Sequence, residues 1–506
     1  MQDASDVLII GSGPAAVMAA LPIVESGRTV TMIDGGMTAP AILEEPLRDD
    51  FIGMRRNRED QWRWFLGEDL GGIPVRGLEG GLGGGMTSGN RAYVTAGTGQ
   101  LPLESQNAQI IQSLARGGLG AVWGATCAYL ESSELETMGM PAADIQKQYD
   151  EVSELVGISG PQTRAHVQPP LTPDHHAARL LKSAEKKWMA LDNMHIRVMQ
   201  PHSAVLTQEK NNRKAEQYRD MDYYSDDGRT VWRPQFLLDR LMSHPNFRYV
   251  PRHLIDHVEE TGNEAIVFAR VMDGDRLGET KRFTGKRVVM AAGTIGSARL
   301  LLKSLGLHDA RLPLLIKPHV FTACLDTASL GQAGPRERTS LCQLLITDGT
   351  KTGDGFDSAV AQLYGYRSLL LFRLLGSMPL PIPRALKALA ALSPSLVVAD
   401  IRFPVHASSQ SHLSLDRGGR IRIIAEETAD ERTERREALK RIHKASKMLG
   451  LLPAKTLWLP HGSTSHYAGT IPYRDEPGTT ALSVNRHGKL HQGKHLYVAD
   501  AATFTA

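Results

Sequence analysis

The chain has 506 residues, 42% of them hydrophobic and 22% charged, with a formal net charge of +3. That length exceeds what a single core usually serves, so two domains are the default; the composition is that of an ordinary globular protein, and the charge is too small to argue for nucleic acid. Cys127, Cys324 and Cys342, an odd number without a CxxC, suggest a reducing compartment and no metal site. The amino end, Met1 to Asp6, lacks the basic and apolar regions of a signal peptide, which gives a cytoplasmic protein as the expectation.

The first elements are an apolar run, Val7 to Ile10, the turn Gly11-Ser-Gly13-Pro14-Ala-Ala16, a helical stretch closed by Gly27, and a second apolar run from Thr29 to Ile33 that ends on Asp34. This is a βαβ unit with a dinucleotide fingerprint. Gly11 permits the tight turn, Gly13 lets the backbone approach a pyrophosphate, Ala16 lets helix and strand pack closely, and Asp34 accepts from ribose hydroxyls. Pro14 suits a first helical turn, whereas Pro22, inside the helix, costs about 3 kcal/mol and predicts a kink or an early end.

Glu44 to Asp69 is rich in charge and turns, with Trp62 and Trp64 among them, and is expected to wrap this unit. The run Gly80 to Gly85 cannot pack a core and reads as a loop, flexible or folded over a ligand. Ala115 to Cys127 brings Gly117, Gly118, Gly120 and Gly124 together with Val122 and Trp123; consecutive N–H groups in such a turn make a second anion-binding concavity, and an indole can flank a flat ring. His166, His175, His176, His195 and His202 read as surface or hydrogen-bonded residues, since no carboxylate stands at ligand spacing.

Pro234 to Leu241 has the rhythm of a helix, and Phe247 to Val250 and Leu254 to Glu259 alternate like strands. Lys286 to Ser304 repeats the strand, glycine turn and helix pattern through Ala292, Gly293 and Gly296 and closes the nucleotide sheet. Leu312 to Gly450 reads as a substrate domain with strands over Ala323 to Leu345, Leu396 to Pro404 and Ser411 to Leu415. Within it, Tyr364 to Leu392 is apolar but too broken by Pro379, Pro381 and Pro383 to span a bilayer; a buried helix over the substrate cavity is the expectation, a membrane-surface or oligomer contact the alternative. Thr428 to Leu449 is a charged amphipathic helix stopped by Gly450. Near the end, His466-x-x-Gly469-Thr470 puts a histidine on a turn, where an ordinary pKa of about 6.5 suits a general base, and Leu496 to Asp500 is a strand ending in an acid followed by Ala501.

Four motifs, Gly11-x-Gly13-x-x-Ala16 with Asp34, Gly117-Gly118-x-Gly120-x-x-Trp123-Gly124, Ala291-Ala-Gly293-x-x-Gly296 through Ser304, and His466-x-x-Gly469-Thr470 with Leu496 to Asp500, stand in an order that resembles the glucose–methanol–choline family of flavin oxidoreductases. The resemblance implies an α/β architecture: a Rossmann-like FAD-binding domain over 1–160, 225–310 and 455–506, and a discontinuous, sheet-containing substrate domain over 161–224 and 311–454. It implies FAD with its pyrophosphate over Gly11 to Gly13 and its ribose on Asp34, Gly118 to Trp123 along pyrophosphate and isoalloxazine, Ile255 at the adenine and Asp500 at the ribityl chain. His466 would take the hydroxyl proton of an alcohol, with a sugar, glycoside or polyol as donor and oxygen or another acceptor for the electrons.

Two departures qualify the resemblance. Val122 stands where relatives with covalent flavin carry histidine, so the FAD is expected to be non-covalent. The family's second catalytic Asn or His does not appear before Ala506: either the chain has been shortened, or another polypeptide supplies that group, or His461 or His495 substitutes, and a homo-oligomer or a partner subunit is a possible assembly. A flavin-dependent lyase or isomerase, or an impaired FAD-binding subunit, are the alternative readings.

Overall fold

The computed structural model describes residues 4–68, 70, 89–274, 276–330, 339–352, 355–365, 378–406, 410–477 and 482–505, so the Gly80 to Gly85 run lies outside the described residues. The chain is mixed α/β. Its first sheet contains five parallel strands in the spatial order Phe247–Val250, Val30–Ile33, Ser5–Ile10, the end of Arg276–Met290, and Leu496–Val498. This is the doubly wound order, with the first strand at its centre. A strand buried on both faces needs an unbroken apolar run, and the first strand shows why. Leu8 and Ile10 join a core with Ile295 and Leu301 of the Thr294–Ser304 helix, while Val7 and Ile9 join another with Val17 and Leu238 of the Pro14–Glu25 and Pro234–Leu241 helices.

The strand Arg276–Met290 serves two partners. Its early residues pair antiparallel with Ala265–Asp273, itself paired with His253–Glu260; Gly285 to Met290 run parallel to Ser5–Ile10. Pro22 does not end the first helix, which continues to Glu25. Pro22 is exposed, so its ring meets no core packing, while Leu21 and Val24 hold the helix from the buried side.

A second sheet has six strands, all antiparallel, in the order Leu451–Trp458, His319–Asp326, Leu396–Arg402, Asp357–Gly365, Leu344–Lys351 and Ile196–Met199. One face packs on the helix Ala429–Met448, where Val320, Ile401, Ala361 and Leu363 meet Ala438, Leu439 and Ile442. That helix opens on a capping box: Thr428 Oγ1 accepts from Glu431 N at 3.1 Å and Thr428 N donates to Glu431 Oε2 at 2.7 Å.

Two expectations are corrected. The span from Ala323 to Leu345 is not strand throughout: its first strand runs from His319 to Asp326, whose side chain turns back to cap Ala328 N, and the next begins at Leu344. The Ile382–Leu392 helix is not buried, since only Ala385 and Leu389 are covered while Ile382 and Leu386 face outward. Its small buried face cannot hold more of it down, and residues 366–377 before it lie outside the described ones. Among the described residues no helix is long and apolar enough to cross a membrane.

Candidate active site

The carboxyl ends of the parallel strands open onto a cavity of about 310 Å³. Gly11, Gly13, Pro14, Asp34, Gly118, Gly120, Ile255, Ala292, Gly293 and Asp500, all singled out from the sequence, line it. Gly11 holds φ +98°, and a Cβ there would meet the Ala291 carbonyl oxygen at 2.5 Å, so the turn and the neighbouring strand both require glycine. Gly13 begins the first helix without a side-chain cap, which leaves its first N–H groups and the positive end of the helix facing the cavity.

Ser12 joins the first two motifs. Its Oγ accepts from Gly117 N at 2.9 Å and donates to Asp34 Oδ2 at 2.5 Å. Tyr249 OH adds a second bond to the same oxygen at 3.0 Å. Burial nonetheless pushes the Asp34 carboxyl up to about 6, against those hydrogen bonds. At the other end Asp500 accepts from Ser297 Oγ at 2.6 Å and Ala502 N at 2.9 Å, and burial raises its pKa also.

The Gly118–Ala121 turn is held from behind by residues that sequence reasoning missed. Arg91 and Arg233 both donate to the Ala121 carbonyl, at 3.2 and 2.8 Å, and share the buried carboxylate of Asp226, at 3.0 Å from Arg91 Nη2 and 2.7 Å from Arg233 Nε. Burial alone would raise the Asp226 carboxyl; the two guanidiniums outweigh it and hold it at about 2. A Cβ on Gly120 would strike Pro14 and Pro234 at 2.7 and 2.8 Å, so this turn can approach the first helix only as glycine.

Other predicted residues lie beside the cavity rather than in its wall. Ala16 is fully buried under the first helix. Gly117 abuts the Gln235 side chain, and Val122 packs beside Val94, Ala115 and Ala121. The Trp123 indole meets Trp232 edge-on at 6.1 Å and donates to its carbonyl at 2.8 Å, and Gly124 faces the hydroxyls of Tyr223 and Tyr364. Ala501 begins the short turn after Asp500, its carbonyl accepting from Gly469 N at 3.0 Å.

His466 follows Ser465, which holds φ +59°, and its neighbour Tyr467 takes a hydrogen bond from Thr294 Oγ1 at 2.7 Å, which ties this turn to the second strand-to-helix turn. His466 is exposed and does not line the cavity, although its neighbour Tyr467 does, while protein atoms crowd the His466 ring. Burial, then the positive charges of Arg402 and Lys317, push its pKa down to about 3. The ordinary value of 6.5 expected from sequence is therefore corrected, because this ring loses water and gains cationic neighbours.

Arg402 comes from the six-stranded sheet, and Lys317 from the segment that follows the short Leu315–Ile316 strand. Arg402 binds Asp400 Oδ2 through Nε at 2.9 Å and Nη2 at 2.8 Å, and His319 bridges Asp400 Oδ1 at 2.9 Å and Ser463 Oγ at 2.8 Å. Burial alone would raise the Asp400 carboxyl, but Arg402 and His319 hold it at about 2. His495 and His461 stand elsewhere: His495 precedes the Leu496–Val498 strand, at the edge away from the cavity, and the His461 ring faces Glu427. The residue signal that could have revealed this cluster is Asp400-x-Arg402, two charges on one face of an otherwise apolar strand.

No protein-family model matches the chain, and no curated protein sequence does. Among solved structures, a fungal aryl-alcohol oxidase is similar over 99% of this chain and 95% of its own, at 12% identity and a TM-score of 0.51. A flavoprotein/dehydrogenase from Cytophaga hutchinsonii (9% identity, 99% of this chain and 72% of its own, TM-score 0.28) and a p-nitrophenol 4-monooxygenase from Pseudomonas putida DLL-E4 (8%, 100% and 74%, 0.29) also align. The first likeness spans nearly the whole of both chains and is one of fold, and at that level the resemblance to the glucose–methanol–choline oxidoreductases holds.

Proposed function

We propose that this chain is an FAD-dependent oxidoreductase that converts the hydroxyl of an alcohol to a carbonyl. One observation carries the reading: the dinucleotide turn, the second glycine turn, Ile255 and Asp500, which are scattered over nearly the whole sequence, line one cavity. The residues fit the cofactor. The uncapped helix N-terminus and the glycine cradle suit a pyrophosphate, Asp34 and Ile255 an adenosine, and Asp500 a ribityl chain. The two domains read from the sequence follow from the same proposal, with the parallel sheet holding the cofactor and the antiparallel sheet the donor.

When bound, the flavin supplies the hydride acceptor. The chain's own part is to hold the donor and move its proton. His466, unprotonated above about pH 3, accepts the hydroxyl proton. A sugar, glycoside or other polyol is the donor class this reading takes from the resemblance to the glucose–methanol–choline oxidoreductases. With Val122 where a covalent attachment would need histidine, the flavin is held without a covalent bond.

The purified protein should be yellow, release its flavin into the supernatant on acid precipitation, and lose its visible absorption when an alcohol is added without oxygen. A flavin that no alcohol reduces would favour the lyase or isomerase reading. A colourless protein that takes up no FAD would overturn the proposal.

A further inference from the structure

The sheet face turned away from the Ala429–Met448 helix is charged where it meets His466. In the register, His319 lies opposite Arg402, and Asp400 lies between Phe321 and Gln362. Alternate residues of a strand share a face, so His319, Asp400, Arg402, Gln362 and Tyr364 all stand on this one. Lys317 joins them from the other side: Leu315 pairs with Ala468, Ile316 with Tyr467, and Lys317 N donates to His466 O at 3.2 Å. Residues directly opposed in an antiparallel pair carry their side chains side by side, which sets Lys317 against His466.

This cluster holds two cationic side chains, Lys317 and Arg402, and one carboxylate. Asp400 is already committed through both oxygens to Arg402 and His319. Among the described residues Lys317 forms no ion pair, and burial, then Arg402, push its pKa down to about 8. Lys317 is half-buried and has only the more distant charge of Asp400 opposite it, so a bonded anion would stabilise it.

We propose that the donor oxidised at this site carries a carboxylate, received by Lys317 and Arg402 while its hydroxyl lies against His466. The inference rests on the function proposed above. Loss of water lowers the His466 imidazole most, and an anion between the two cations would offset only the further lowering that Arg402 and Lys317 add.

The test uses the FAD-loaded protein and two pairs of compounds that differ in charge alone: glucuronate with glucuronamide, and 4-(hydroxymethyl)benzoate with its amide. Calorimetric binding without oxygen should favour the acid of one pair by about tenfold or more. Lys317→Met should abolish that preference. Equal binding of acid and amide in both pairs, or a preference that survives Lys317→Met in a folded variant, would overturn the inference. If the variant does not fold, the acid-to-amide ratio of the unaltered protein decides. Acid that binds with preference yet leaves the flavin oxidised would refute the alcohol chemistry and leave the anion site standing.

Discussion

The nucleotide turn and the face opposite His466 sit in one molecule but use different parts of the chain. The first binds with backbone: glycines at fixed spacing, N–H groups at a helix end and close approaches that exclude a Cβ. The second is built of side chains: Asp400 and Arg402 share one strand, but His319 lies 81 residues from its partner Asp400 and Ser463 lies 144 from its partner His319. Backbone sites therefore leave a local signature, and side-chain sites leave almost none.

The contrast breaks most sharply at His466. His466→Gln should lower turnover by about two to four orders of magnitude while flavin content stays the same, because the base is lost and the cradle is untouched. Steady-state kinetics together with the flavin-to-protein absorbance ratio check this; a parallel loss of flavin would mean that the two halves are not separable.

The opposite effect should come from Asp226. Asp226→Asn leaves Arg91 and Arg233 buried without their carboxylate, and removing one partner of such a group destabilises by about 3–5 kcal/mol. Because both guanidiniums also hold Ala121 O, the turn loosens and flavin content falls. Urea unfolding and flavin titration measure the two consequences. Gly11→Ala should follow at about 2–3 kcal/mol, from its positive φ and the overlap with Ala291 O, read by the same methods.

The two halves also pull stability in opposite directions with pH in the flavin-free protein. Asp34 has a folded pKa of about 6 against 3.8 for an ordinary carboxyl, so the folded state binds more protons and stability falls as pH rises across that window. His466, at about 3 against 6.5, binds fewer protons folded, so its contribution rises over an overlapping window. Asp34→Asn should therefore steepen the rise of unfolding free energy from about pH 4 to about pH 6, whereas His466→Gln should lessen it by a smaller amount, because water partly screens the exposed ring. Denaturant midpoints at a series of pH values read both slopes, and an unchanged slope in the Asp34 variant would show that its carboxyl is not buried as described.

The same division explains what could be read from sequence. The parallel strands were legible because burial on both faces forces unbroken apolar runs such as Val7 to Ile10, and the Gly11, Gly118 and Gly293 turns because their spacing is fixed by backbone geometry. The pairing of Lys317 with His466, or of His319 with Asp400, depends on register between strands up to about 150 residues apart, which no local pattern encodes. The histidine pKa escapes the sequence in the same way: loss of water lowers it first and Arg402 and Lys317 lower it further, and none of these is visible from the turn that carries it. Pro22 and the Ile382–Leu392 helix failed differently, since their outcome turned on which face met water.

The smallest test concerns the helix that backs the charged face. Thr428 closes a capping box with Glu431, and removing such a cap costs about 1 kcal/mol. The Ala429–Met448 helix touches the sheet through Val320, Ile401 and Ala361, on the side away from Asp400 and Arg402. Thr428→Ala should thus lower the urea midpoint by that small amount, while flavin content and the acid-to-amide preference remain those of the unaltered protein. A change in the preference would mean that the register placing Lys317, Arg402 and His466 together depends on this helix end, and the side-chain site would then be far less rigid than the backbone cradle.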